Sequence, residues 1–128
     1  MPGNIVGMKL GEIKQIALAV SDIEASVGFY QKSLGLKLLF RAEPKMAFFD
    51  IAGVRLMLSE AEDVKTGGPM LYFACEDIAA TYQSLADARV NVIREPLMTH
   101  KTDEHELWLA FFDDPDGHTW ALFEEKAL

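Results

Sequence analysis

The sequence predicts an α+β fold built from two β-α-β-β-β modules, and an internal duplication carries that prediction. The segment Asp22-Ile-Glu-Ala-Ser26 returns as Asp77-Ile-Ala-Ala-Thr81, and Ala47-Phe-Phe-Asp50 returns as Ala110-Phe-Phe-Asp113, in the same order. Ordered repeats of this kind mean two similar halves and supply an alignment within one chain. A length of 128 residues suits one domain better than two. Residues 1–128 therefore read as a single domain, with module one at about 12–60, a linker at about 61–68 and module two at about 69–126.

Each element has its own signal. Ile13–Val20 alternates as a strand, with Ile16, Leu18 and Val20 on one face and Gln15, Ala17 and Ala19 on the other. Ser21-Asp-Ile-Glu24 has capping-box spacing, and Ile23, Val27, Tyr30 and Leu34 recur at helical intervals until Gly35. Strands are expected near 36–41, 46–51 and 54–59, with Gly53 in a turn. The second half repeats the plan: a strand over Met70–Cys75, a helix capped by Asp77 with Ile78, Tyr82 and Leu85 inward, and strands near 90–94, 106–112 and 119–124. Asp113-Asp-Pro-Asp-Gly117 reads as a tight turn, which accounts for its carboxylates structurally.

Composition narrows the functional classes. Half the residues are apolar and a quarter charged, as in soluble globular proteins. Met1–Leu10 lacks the pattern of a secretory leader, so a cytoplasmic protein is expected. Cys75 is the single cysteine, which excludes an internal disulfide framework. A net charge of −8 argues against nucleic acid and anionic membranes as partners and is compatible with a cationic or neutral small molecule.

The two modules, the Asp-Ile helix starts, Phe29-Tyr30 followed by Leu34-Gly-Leu36, and the late Phe112-Asp-Asp-Pro-Asp-Gly117 together resemble the vicinal oxygen chelate superfamily. That group includes glyoxalase I, bleomycin-resistance proteins, fosfomycin-resistance enzymes, extradiol dioxygenases and methylmalonyl-CoA epimerase. The resemblance spans about residues 12–125 and implies sheets curled into an incomplete barrel around a cavity, usually in a homodimer. One departure is Arg89, where the family often ends its second helix with glycine, so a turn built differently, or strained, is expected there.

In metal-dependent members, each module supplies inward ligands from its first and last strands. Carried onto this chain, the positions seven residues before the capping aspartates are Gln15 and Met70, and those four after the turn glycines are Met57 and Ala121. One amide oxygen, two thioethers and a methyl group do not suit a hard or borderline divalent ion. No metal or other cofactor is therefore expected. Glu60 and Glu124 lie three residues further along, on the opposite faces, and do not replace the missing donors.

Without a metal, the expected ligand-binding residues are Gln15, Arg55, Met57, Met70, Tyr72, Trp108 and Ala121, with His105 from the polar stretch Thr99–Glu106. That stretch reads as an exposed loop, or as a lid over the cavity, and His118 reads as a solvated turn residue. Catalytic residues are not evident. The expected function is binding of a small organic molecule in a metal-free cavity of a homodimer; the alternative is a glyoxalase-type lyase, isomerase or dioxygenase with an atypical metal site or metal-free acid/base chemistry.

Overall fold

A computed structural model describes residues 9–128; of the segment read for a leader, only Lys9 and Leu10 fall inside that range. Module one runs β1 (Gln15–Val20), α1 (Ile23–Gly28), a wider π-type turn over Phe29–Ser33, β2 (Lys37–Ala42), β3 (Met46–Ile51) and β4 (Val54–Glu60). Module two runs β5 (Tyr72–Ala74), α2 (Ile78–Asp87), β6 (Asn91–Lys101), β7 (His105–Asp113) and β8 (Thr119–Ala127). The strands form two separate four-stranded sheets of equivalent order, β1-β4-β3-β2 and β5-β8-β7-β6. The duplication is thus repeated in topology, and the sheets stay unclosed, as the expected α+β fold requires.

Period-two alternation gives each sheet a helix-covered face and an open one. Val20, Ala47, Phe49, Leu56 and Leu58 pack with Ile23, Val27 and Tyr30 in the first core; Ala110, Phe112, Trp120 and Leu122 pack with Ile78 and Leu85 in the second. Leu18, Phe29 and Leu34 pack against both clusters, so the modules share apolar contacts. Among the described residues, no helix is long and apolar enough to cross a membrane.

Both helix starts are held by equivalent pairs of carboxylates. Asp22 accepts from the Ala25 N–H and Asp77 from the Ala80 N–H, each at 3.1 Å. Glu60 accepts from the Ile23 N–H at 2.9 Å, and Glu124 from the Ile78 N–H at 2.8 Å. These acids satisfy donors that a helix leaves unpaired and face the positive end of its dipole. The N-cap of α1 is Asp22, so the capping box anticipated from Ser21 does not form; Glu24 instead pairs with Arg41 at 2.6 Å, which holds its carboxyl below the ordinary value.

The polar stretch 99–106 is mostly a β-hairpin, with only residues 102–104 outside the strands as its exposed loop. β6 continues to Lys101, β7 starts at His105, and Thr102 Oγ1 accepts the N–H groups of Glu104 and His105 to tighten the turn. Irregular register along β6, around Arg94 and Leu97, accommodates Pro96 within a strand that the sequence pattern had ended early. Arg89 has φ +63°, the left-handed conformation for which its glycine-replacing position was expected to be strained.

Candidate functional site

Cross-strand pairing fixes which residues share the open faces. On the first sheet, Phe40, Phe48, Met57 and Ala17 lie side by side, and Asp50, Arg55 and Gln15 form the adjacent row. On the second, Arg94, Phe111, Ala121 and Tyr72 form the row equivalent to the first of these. Phe40 stacks on Phe48 with ring centroids 4.5 Å apart, and the Arg55 guanidinium lies over Phe48 at 5.6 Å. On the other sheet the Arg94 guanidinium lies over Phe111 at 6.0 Å.

The structure brings together Gln15, Arg55 and Met57 on one sheet and Tyr72 and Ala121 on the other. Gln15 Nε2 lies 3.8 Å from the Met57 Sδ. Met70 falls just before β5 and lines a cavity of about 450 Å³ with Ala17, Ala19, Gly67, His118 and Thr119. A second hollow of about 470 Å³ lies between Leu34, Phe73, Cys75 and Leu85, and none of the eight expected ligand-binding residues lines it.

Two expectations are corrected by register. Trp108 pairs with Glu124 while Ala121 pairs with Phe111, so Trp108 is on the helix-covered face. There its ring packs against the second core, its Nε1 donates to Glu106 at 3.1 Å and Lys126 sits over it at 4.3 Å. His105 does share the open face of Ala121, but it pairs with Ala127 at the far end of the sheet. Six residues of strand separate it from Phe111, a run of about 20 Å.

His118 is also not solvated. It is 6% exposed, its ring stacks on Trp120, and Nε2 lies 2.8 Å from the Ala19 carbonyl in the other module. A carbonyl only accepts, so Nε2 carries the proton. Beside it, Tyr30 donates to Asp114 Oδ2 at 2.7 Å and accepts from Trp120 Nε1 at 2.9 Å. Asp114 Oδ1 takes the N–H groups of Asp116 and His118, and Asp116 accepts from the Ser21 N–H. Burial, then the Asp114 carboxylate, pushes the Tyr30 phenol far above its ordinary value, so it serves as a donor and not a base. The turn carboxylates missed as a network are therefore a clasp between modules; the Phe29-Tyr30 and Asp-Pro-Asp-Gly motifs were the available signals.

The residues do not fit the divalent metal that the fold implies. The four aligned positions hold Gln15, Met57, Met70 and Ala121, and among the described residues no three His, Cys, Asp or Glu side chains converge as a metal site. Glu60 and Glu124, three residues beyond Met57 and Ala121, are committed to the helix starts.

Comparison with known proteins follows the same architecture. The chain is 32% identical over 121 residues to "Metallothiol transferase FosB" of Bacillus licheniformis, covering 89% of this chain and 75% of the relative. It is 28% identical over 133 residues to a "Probable lactoylglutathione lyase" of Vibrio parahaemolyticus, covering 93% and 94%. A glyoxalase-related enzyme from Fulvimarina pelagi superposes with a TM-score of 0.75 at 23% identity, covering 90% of this chain and 88% of that one. With a family profile matching residues 12–122, the chain belongs to the Glyoxalase/Bleomycin resistance protein/Dioxygenase superfamily.

Proposed function

We propose that the protein binds a small organic molecule on its open faces, in the cytoplasm, without a metal as anchor. The donor set carries this reading: a neutral amide, two thioethers and a methyl group occupy the positions where the fold would need oxygen and nitrogen ligands. The surroundings support it, since Phe40, Phe48 and Met57 on the first sheet, and Tyr72 and Phe111 on the second, each make an apolar bed with few polar points. A second copy of the chain is the proposed cover for this bed, because Phe40 is 47% and Tyr72 54% exposed in a single chain. Light scattering during size exclusion tests that part, and a monomer at micromolar concentration rejects it.

A second reading is favoured by the names of the relatives, a metallothiol transferase and a probable lactoylglutathione lyase. Under it the chain is an enzyme with an atypical metal set or with metal-free acid/base chemistry. Loading chelator-treated protein with zinc, nickel, manganese or iron(II), followed by metal analysis and melting, separates the two. The proposed function expects no stoichiometric ion and no shift in melting temperature. One retained ion per chain, with stabilisation of about 2.7 kcal/mol at a hundredfold excess over Kd, overturns it.

A further inference from the structure

Two of the four arginines, Arg55 and Arg94, lie on the open faces, and each covers one of the repeat-related phenylalanines, Phe48 and Phe111. They reach these rings differently. Arg55 comes from the row beside Phe48 on β4, whereas Arg94 comes from β6 directly opposite Phe111. Their rows also contain or adjoin Met57 and Ala121, two of the positions discussed for metal ligands.

Among the described residues, neither guanidinium has a carboxylate within 4 Å, although acidic residues outnumber basic ones 20 to 12 in the chain. Asp50 stands opposite Arg55 in the ladder but directs Oδ1 to the Gly53 N–H. Stacking on an aromatic ring occupies the face of a guanidinium and leaves its edge N–H groups free for a planar oxyanion. The overall negative charge acts weakly here, because exposed charges beyond about 8 Å are largely screened at physiological salt. In the row beside the first bed, Lys37 and Arg55 flank the single carboxylate of Asp50, which leaves the local charge positive.

We propose that the ligand is an organic anion, an aromatic or otherwise planar carboxylate or sulfonate, whose charged group meets Arg55 or Arg94 and whose body lies on the aromatic bed. This rests on the reading that the open faces hold a small organic molecule, and it reverses the sign that net charge alone suggests.

The test is fluorescence titration of the full chain with three planar probes: 8-anilinonaphthalene-1-sulfonate, its neutral counterpart N-phenyl-1-naphthylamine, and the cation proflavine. The sulfonate is expected to bind about tenfold tighter than the neutral probe, as a charge-assisted contact allows. Arg55→Gln or Arg94→Gln should remove most of that preference while leaving the neutral probe's affinity within twofold; Arg55→Lys and Arg94→Lys should retain part of it. Equal binding of sulfonate and neutral probe, tightest binding of proflavine, or glutamine variants that keep the full preference overturns the anion assignment alone. Failure of all three probes to bind overturns the binding function with it.

Discussion

Replacing Tyr30 with phenylalanine removes one oxygen from the clasp between the modules and should be costly. Tyr30 is fully buried, and its hydroxyl is the partner of both Asp114 Oδ2 and Trp120 Nε1. Loss of a hydrogen bond to a charged group costs about 1.5–3 kcal/mol, and leaving the indole N–H unpaired adds about 1 kcal/mol or more. Asp114 keeps two backbone donors on Oδ1, which limits the damage. We expect Tyr30→Phe to lose about 3 kcal/mol in urea unfolding with an unchanged slope. At about 2 cal/mol/K per residue, the melting temperature should fall by about 11 °C. The pH dependence gives an independent check. Above pH 10 the unfolded tyrosine releases its proton while the folded one keeps it, so the unfolded state binds fewer protons and stability falls as pH rises. Tyr30 should contribute about 1.4 kcal/mol per pH unit to that fall, absent in the variant. A loss below about 1 kcal/mol at neutral pH, or identical alkaline slopes, would refute the clasp as described.

Other expectations concern separate parts of the molecule. Arg89→Gly relieves a left-handed backbone and should stabilise by about 0.5–1 kcal/mol, read from the urea midpoint. Glu60→Ala and Glu124→Ala each remove a carboxylate from a helix start and should each cost about 1 kcal/mol, with matching losses expected from their repeat-equivalent roles. Trp108→Leu should lower stability by about 1–3 kcal/mol while leaving affinity for the naphthalene probes unchanged; a large affinity loss with little destabilisation would return Trp108 to the site. Gln15→Ala should weaken binding of the sulfonate probe severalfold, and unchanged affinity would remove Gln15 as a polar anchor.

The modular fold was legible because duplication supplies information that periodicity alone lacks. Once Asp22 is aligned with Asp77 and Gly53 with Gly117, the order of elements along the two modules matches, and the offsets implied by the family resemblance pick out Gln15, Met57, Met70 and Ala121. Trp108 shows where counting stops. Alternation sorts residues within β7, but only the pairing of Phe111 with Ala121 tells which set shares the open face, and an error of one residue inverts it. His118 fails for a different reason: its burial comes from the end of β1, a contact between residues 99 apart in sequence. The polar composition of 99–106 likewise suggested a loop, because a solvent-facing hairpin has no apolar stripe to announce it. Arg94 was missed on the open face because irregular register in β6 breaks the alternation that would have aligned it with Phe111.

Placement of the carboxylates Glu60 and Glu124 has a consequence for what this scaffold can become. Each joins a module's last strand to the start of its helix, Glu60 from the end of β4 and Glu124 from within β8, so these supporting bonds run along the covered side. The tyrosine clasp comes closer, since Trp120, the donor to Tyr30, lines the cavity of about 450 Å³ together with Ala17 of the open-face row. Substitutions at Arg55, Met57, Tyr72 or Arg94 therefore leave these connections in place, and under the proposed function they would change only what is bound. If the proposed function holds, changing specificity and keeping a stable fold are, in this molecule, largely independent problems.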